Sequence, residues 1–126
     1  MIVSVGIDII EVERVRRALQ RTPRFAERVF TPGERAYCDG RGNALAQHYA
    51  ARFAAKEAAF KALGTGWTGP LGWHDVEVAR DEKGKPLLLF HGHARTLLEA
   101  CGADAAHLSL SHTAQHAVAV VILERT

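Results

Sequence analysis

The longest periodic segment of the sequence runs from Ala44 to Leu63 and is rich in alanine. Gly64 follows it directly, and a glycine in this place is a common end of an α-helix. A helix of this length would be about 30 Å long, which is the span of a small domain. We therefore predict one long central helix, with Asn43 as its N-terminal cap.

Before this helix, the sequence predicts one buried strand and three shorter helices. β-branched residues mark the strand, and apolar residues at helical spacing mark the first short helix. The next two helices each follow a Thr-Pro pair, which suits the N-cap and the first helical position. Thr31 also has capping-box spacing to Glu34. In order, these four elements begin at residues 2, 11, 22 and 31.

The second half of the chain predicts antiparallel strands. Four strand-like runs occur there, with a hairpin-style loop between the first two and one helix after the second. The runs cover residues 74–80, 86–90, 107–112 and 117–123, and the helix covers 92–101. Together these elements predict a single α+β domain over residues 1–126, with the helices packed on a mostly antiparallel sheet.

The charge and composition of the chain exclude some classes of function. The formal net charge is +2, which is too small for a bulk polyelectrolyte binder, but residues 13–28 contain six arginines and two glutamates. Such a local basic surface indicates one anionic partner bound at one place. The two cysteines are expected to be reduced thiols. We find no basic leader and no membrane-length apolar run, so we expect a cytoplasmic protein without membrane contact.

Two acidic residues are candidates for metal chemistry. Asp8 lies among isoleucines in the predicted strand, where an acid must face water, a cation or a hydrogen-bonding partner; a solvent-exposed edge is one such place. Glu57 and Lys61 lie one turn apart on the long helix, a spacing that ordinary surface ion pairs also have. Asp8 and Glu57 together would form an oxygen-only site, which suits Mg²⁺.

Two other sequence patterns are weaker evidence of a functional site. Residues 64–69 match the dinucleotide-binding pattern GxGxxG, but a helix rather than a strand precedes them, so we reject that interpretation. The seven histidines do not have the spacing of a zinc site. His112 is of more interest, because it ends a run of Ser-Leu-Ser-His, and hydroxyl and imidazole groups at a strand end are good donors to a phosphate.

Four segments of the chain share their order and sequence with one enzyme family. They are GIDIIEV at 6–12, FTPGE at 30–34, RFAAKEAAFKALGTG at 52–66 and LSLSH at 108–112. Together they resemble the holo-acyl-carrier-protein synthases, which are small 4′-phosphopantetheinyl transferases. The resemblance implies the 4′-phosphopantetheinyl transferase fold. It also implies Mg²⁺-dependent transfer of the phosphopantetheine arm from coenzyme A to a serine of apo-acyl carrier protein, with release of adenosine 3′,5′-bisphosphate.

The resemblance also implies roles for individual residues. Asp8 and Glu57 hold Mg²⁺ together with the diphosphate of coenzyme A. Lys61 contacts the phosphate under attack, and His112 lies near the 3′-phosphate. The proton of the acceptor serine passes to Glu57 or to a metal-bound water, and the sequence leaves both open. Two segments of this chain resemble the family's segments that line the pantetheine and the nucleotide; they are Gly64, Thr65 and Gly66, and Gly84, Lys85 and Pro86.

Partner surfaces follow from the same resemblance. The carrier proteins of fatty-acid synthesis are acidic, and such a partner would explain why the first helix is basic. The residues of this chain that resemble the family's docking residues are Arg14, Arg21, Arg24 and Phe25. The family forms cyclic trimers whose active sites are shared between neighbours, so we expect a homotrimer.

Two other functions are weighed against this one. The first is a non-catalytic module that binds RNA or DNA through the arginine-rich helix. Against it, aromatic residues make up only 7% of the chain, and none interleave the arginines in the stacking pattern that a surface for bases requires. The second is a histidine metallohydrolase, which would need tightly bound zinc. We expect a transferase, with no nucleic acid as partner.

Overall fold

The computed structural model describes residues 1–64 and 72–126. It has an α+β architecture with one long central helix, as the sequence predicts. In chain order the elements are β1 (Ile2–Glu11), α1 (Val12–Arg21), α2 (Phe25–Val29), α3 (Pro32–Asp39), α4 (Leu45–Leu63), β2 (Val76–Arg80), β3 (Pro86–Phe90), α5 (Gly92–Ala100), β4 (Ala105–His112) and β5 (His116–Glu124). None of the helices in these two ranges is long and apolar enough to cross a membrane.

The strands form two antiparallel sheets. β5 lies between β1 and β4 in a three-stranded sheet, whereas β2 and β3 form a separate hairpin. The central helix α4 packs on β1 and β5, and the buried face of β5 carries small and branched apolar residues toward it. The predicted antiparallel pairing is therefore confirmed, but the strands are divided between two sheets.

The alanines of α4 allow the sheet to approach the helix closely. Gly6 lies where β1 crosses α4, and a Cβ atom at this position would be 2.0 Å from the carbonyl oxygen of Ala58 and 2.8 Å from the backbone nitrogen of Ala62. Only a glycine fits such a close contact of two backbones. The eight fully or nearly buried alanines of α4 are Ala46, Ala50, Ala51, Ala54, Ala55, Ala58, Ala59 and Ala62.

Two helix starts differ from the sequence prediction. Thr22 does not cap the second helix, because its N–H donates to Ala18 O and so closes the last turn of α1. Helix α2 begins only at Phe25, after Arg24 has adopted a left-handed conformation with φ of 65°. Asn43 does not cap α4 either, since it lies inside a 3₁₀ turn that leads directly into the helix, and no side chain caps α4.

Other predicted boundaries hold. Thr31 and Glu34 form the predicted capping box of α3, and Gly64 ends α4 with φ of 82°. The first strand of the hairpin starts at Val76 rather than at residue 74, because a 3₁₀ turn precedes it; the carboxylate of Asp75 accepts a hydrogen bond from Gly72 N at 2.9 Å and stabilises that turn. Both cysteines are free thiols.

A buried ion pair joins α3, α4 and β2. Lys56 Nζ lies 2.9 Å from Glu34 Oε1, and both side chains are fully buried. Lys56 also donates to the carbonyl oxygens of Trp73 and Val76, while Glu34 accepts hydrogen bonds from two backbone N–H groups, those of Thr31 and Val78. Because nearly every donor and acceptor of the pair is used, the network fixes the position of the β2 end against the middle of α4.

Replacing Gly6 with alanine should lower the free energy of unfolding by about 3 kcal/mol, because the added methyl group forces β1 away from α4. Denaturant titration followed by circular dichroism measures this. Gly40→Ala is the matched control, since its Cβ would lie 3.6 Å from the nearest atom at an ordinary φ of −83°. Equal stability of the two variants would contradict the close contact at Gly6.

Replacing Glu34 with glutamine should cost about 3–5 kcal/mol at neutral pH, because the ammonium of Lys56 is left buried without a counter-charge. Burial already lowers the pKa of Lys56, and Glu34 opposes this shift. Without Glu34 the pKa falls further, so the folded variant binds fewer protons than the unfolded chain and gains stability as pH rises toward the ordinary lysine range.

Urea titrations at neutral and alkaline pH test this expectation. Glu99→Gln is the control, since it breaks the exposed pair with Arg95 and should change stability by less than about 1 kcal/mol at either pH. A deficit of the Glu34→Gln variant that does not shrink with rising pH would contradict the account of Lys56.

Candidate active site

Asp8 lies on the side of β1 that faces α4. Strand alternation places it on the same face as Gly6 and Ile10, both buried. Its Oδ1 accepts a hydrogen bond from Lys61 Nζ at 3.0 Å, and the same ammonium donates to the carbonyl oxygen of Ile7 at 3.0 Å. The side chain of Asp8 is 16% exposed, against 54% for Lys61. Of the alternatives left open by the sequence, the acid therefore faces a partner rather than open solvent.

Glu57 lies one turn before Lys61 on α4, about 6 Å away along the helix axis, and is partly exposed. Carboxylate oxygens are the ligands that Mg²⁺ prefers, and this ion is usually held by one or two carboxylates plus substrate phosphates. Across residues 1–64 and 72–126, no group of three or more His, Cys, Asp or Glu side chains is arranged to hold a metal ion. Asp8 and Glu57 supply oxygen donors of the kind that such an ion would share with a phosphate substrate.

His112 lines a cavity of about 200 Å³ at the end of β4. Gly84 and Pro86, from the turn between β2 and β3, line the same cavity. Gly84 has φ of 85° and donates to Asp81 O at 3.0 Å, so a glycine is needed to close this turn. Three of the predicted coenzyme-binding residues are therefore brought together. Lys85, the fourth from this region, lines a neighbouring groove between β3 and β4.

Tyr37 lies in the wall of this cavity, which we call the Tyr37 cavity, and three arginines contact its ring. Two of them, Arg52 and Arg80, also line the cavity. From the ring centroid to the guanidinium carbon, the distance is 3.8 Å for Arg80, 4.2 Å for Arg52 and 4.5 Å for Arg41. In the described ranges, none of the three pairs with a carboxylate. Arg52 is 4% exposed, and its Nε has no hydrogen-bond partner. The lining of the cavity therefore combines guanidinium and imidazole groups with no carboxylate among the described residues, which suits a phosphate.

The sequence alone assigns no role to Tyr37, Arg41, Arg52 or Arg80. These residues come from α3, the connection to α4, α4 itself and the end of β2. Periodicity and spacing cannot show that such distant segments meet. The one available signal is that Arg52 opens the segment 52–66 that resembles the transferase family.

The Asp8–Lys61 contact and the Tyr37 cavity lie on opposite sides of α4. Five residues separate Arg52 from Glu57, which corresponds to a rotation of about 140° around the helix, and nine separate Arg52 from Lys61, which corresponds to about 180°. The contacts agree with this geometry, since Lys61 reaches β1 and Arg52 reaches the ring of Tyr37 on α3. The two groups of candidate residues therefore lie on different faces of the helix.

The predicted docking residues lie at α1 and α2. Arg14, Arg21 and Arg24 are exposed. Phe25 is half-buried, and its ring packs against Phe30 and Phe53, with centroids 6.0 and 6.3 Å apart. The surface therefore offers guanidinium groups next to a partly accessible aromatic edge.

Gly64, also predicted to line the coenzyme, is exposed at the end of α4. Its N–H donates to the carbonyl oxygens of Phe60 and Lys61 at 3.1 and 3.0 Å, which closes the last turn. Thr65 and Gly66, which complete the predicted segment, lie outside the described residues.

Comparison with known proteins agrees with these features. Residues 4–121 match the family described as the 4′-phosphopantetheinyl transferase superfamily. The holo-[acyl-carrier-protein] synthase of Koribacter versatilis is 52% identical over 125 residues, which are 98% of this chain and 99% of that protein. Among solved structures, the holo-(acyl-carrier-protein) synthase of Bacillus anthracis in complex with CoA (3′,5′-ADP) has a TM-score of 0.82 and 41% identity, covering 100% of this chain and 99% of that one.

A second solved structure extends the comparison to a more distant relative. The holo-[acyl-carrier-protein] synthase of Helicobacter pylori in complex with coenzyme A has a TM-score of 0.82 at 29% identity, covering 95% of this chain and 99% of that one. The similarity in fold thus persists where sequence identity is low. Because the family match and the relatives extend over nearly the whole chain, this protein belongs to the 4′-phosphopantetheinyl transferase superfamily.

Proposed function

We propose that this protein is a holo-[acyl-carrier-protein] synthase, which transfers the 4′-phosphopantetheine arm from coenzyme A to a serine of apo-acyl carrier protein. Relatives of that name match along almost the entire chain, and similar solved structures are complexes with coenzyme A. The observation that carries the proposal is the contact of Asp8 with Lys61, one turn from Glu57. A carboxylate pair beside an ammonium group is suited to phosphoryl transfer, which depends on positioning and on charge stabilisation.

Asp8 and Glu57 are the residues that would hold Mg²⁺ together with the diphosphate of coenzyme A. Two carboxylates leave coordination positions for substrate oxygens and water. When bound, the ion would offset the negative charge that develops on the diphosphate. The hydrogen bond from Lys61 orients the Asp8 carboxylate before any ligand arrives.

Lys61 supplies a positive charge for the phosphate under attack. The contacts with Asp8 and the Ile7 carbonyl use two of its three N–H donors, and the side chain is 54% exposed. The third donor can reach a phosphate oxygen and stabilise charge in the transition state. In the reaction, the serine oxygen bonds to the phosphorus of the arm and its proton passes to Glu57 or to a water molecule. The bridging P–O bond breaks, which releases adenosine 3′,5′-bisphosphate.

The Tyr37 cavity is the proposed site for the 3′-phosphate of coenzyme A. A phosphate monoester carries nearly two negative charges at neutral pH, and hydrogen bonds from guanidinium groups to phosphate are short and strong. Support comes from the uncompensated guanidinium groups around Tyr37 and from His112 in the same wall. Gly64, Thr65, Gly66, Gly84, Lys85 and Pro86 are proposed to line the rest of the coenzyme.

A homotrimer with shared active sites is the proposed assembly. The two halves of the site face opposite sides of α4, which favours a substrate held between neighbouring protomers. The outer face of the three-stranded sheet offers an interface, because Val5, Ile7 and Ile9 are 54, 60 and 66% exposed and are paired in register with apolar residues of β5. A contiguous exposed apolar face of this kind is typical of an association surface.

Acyl carrier protein is the proposed macromolecular partner, bound through Arg14, Arg21, Arg24 and Phe25. The exposed guanidinium groups supply charge complementary to an acidic carrier protein. Charges at the rim of an interface act mainly on the rate of association. The half-buried ring of Phe25, which is held by Phe30 and Phe53, provides an apolar contact within this basic surface.

Asp8→Asn and Glu57→Gln should each lower the transfer rate by about a hundredfold or more, because a Mg²⁺ ligand is lost while the shape of the site is kept. Mass spectrometry of apo-acyl carrier protein incubated with coenzyme A and Mg²⁺ measures the added arm, and circular dichroism checks the fold. Glu99→Gln, on the exposed face of α5, should retain full activity. Near-normal transfer by either site variant would refute the assignment.

Ile7→Lys should convert the trimer to smaller species, because it places a charge in the apolar outer face of the sheet. Light scattering after size-exclusion chromatography gives the number of chains. Leu89→Lys is the control, since Leu89 is also an exposed apolar residue, at 40%, but lies on β3 in the other sheet. Wild-type protein that elutes as a monomer, or an Ile7→Lys variant that remains trimeric, would argue against this interface.

A further inference from the structure

His48 lies in the first turn of α4 and forms part of the wall of the Tyr37 cavity. Its ring makes edge-on contacts with Tyr37 and with His112, with centroids 5.5 and 5.2 Å apart. The side chain is half-buried. His48 therefore stands beside the residues that we propose for the 3′-phosphate, although neither its spacing nor its neighbours in sequence mark it as functional.

The groups that face His48 are cationic or neutral. Arg41 approaches from the connection before α4, Arg52 from the next turn of α4, Arg80 from the end of β2, and His112 from the end of β4; the remaining neighbour, Tyr37 on α3, is a phenol. The lining of the cavity contains no carboxylate among the described residues. A proton on His48 would therefore add a further positive charge to an already uncompensated cluster.

Burial and these neighbours both disfavour the imidazolium form. Loss of solvation is the larger cause and the positive charges of Arg52, His112, Arg41 and Arg80 follow, so the pKa of His48 lies below the ordinary histidine value. A phosphate dianion in the cavity reverses the second cause, because its charge outweighs the repulsion between the cations. The imidazolium would then become a further hydrogen-bond donor to the ligand.

We propose that His48, which lies in the wall of the Tyr37 cavity beside His112, is a proton-linked binding residue that takes up a proton when a phosphate monoester enters the cavity. The proposal rests on the proposed function, since the ligand is the 3′-phosphate of coenzyme A. The complex binds more protons than the free protein, so affinity rises as pH falls between the two ionisation points of His48. One linked proton changes affinity by up to about tenfold per pH unit in that interval.

Titration calorimetry of the wild-type protein tests this with coenzyme A and with dephospho-coenzyme A as probes. Measurements at about pH 7 and about pH 8 keep the ligand phosphate mostly dianionic, because its second pKa is near 6. Two buffers with different ionisation enthalpies reveal the number of protons taken up. Coenzyme A should bind with proton uptake and more tightly at the lower pH, whereas dephospho-coenzyme A should show no His48-dependent uptake.

Two variants isolate His48. His48→Phe keeps a ring against Tyr37 and His112 but cannot ionise, and His48→Gln keeps polarity in a smaller side chain; both should lose the proton uptake and most of the pH dependence. His93→Gln is the matched control, since His93 lies on α5 and lines neither the Tyr37 cavity nor the groove beside Lys85, and it should behave as wild type.

The outcomes separate this inference from the proposed function. Equal proton uptake by wild type and both His48 variants would overturn the role of His48. So would binding of coenzyme A to wild type without any proton uptake. In both cases the binding of coenzyme A would still support the proposed function. A protein that binds no coenzyme A at either pH would overturn both proposals.

Discussion

The close approach of β1 to α4 at Gly6 is the contact on which the rest of the structure depends. Because position 6 has no side chain and α4 presents alanines, the two backbones nearly touch. Two residues further along, strand alternation turns Asp8 toward the same helix, close enough for a 3.0 Å hydrogen bond with Lys61. A larger residue at position 6 would move β1 outward and separate that pair. The close packing of small residues at Gly6 therefore also determines the position of the Asp8 carboxylate.

The central helix keeps two sites of opposite charge apart. The carboxylates proposed for Mg²⁺ lie toward β1, whereas the guanidinium groups around Tyr37 lie about half a turn away around the helix. If the two sets shared one side, Asp8 or Glu57 would pair with Arg52 or its neighbours, and both would lose their capacity to bind a ligand. A rigid helix fixed by the buried Lys56–Glu34 pair prevents this neutralisation. In an assembly, each half can then face the complementary half of a neighbour.

Local signals in the sequence predicted most of the elements but only part of the site. The capping box at Thr31 and the glycine after Leu63 act through neighbouring residues, so both are evident without a structure. The prediction that Asn43 caps α4 was wrong, because α4 follows directly on a 3₁₀ turn that is held by backbone hydrogen bonds. The Tyr37 cavity was not predictable, because its arginines come from elements that meet only after folding and no period connects them.

The Tyr37 ring makes the cationic cavity compatible with a stable fold. Among the described residues, the three guanidinium groups have no carboxylate partner and the buried Nε of Arg52 has no hydrogen bond. Their mutual repulsion and the unsatisfied donor lower the stability of the protein when no ligand is bound. Contacts with the aromatic face offset part of this cost, and the lowered pKa of His48 disfavours a further positive charge there. The missing partner charge and hydrogen bonds are those that a bound phosphate brings, so binding energy and folding energy are linked at this site. Under the proposed function, a cluster left unsatisfied within the chain would therefore favour the binding of a phosphate.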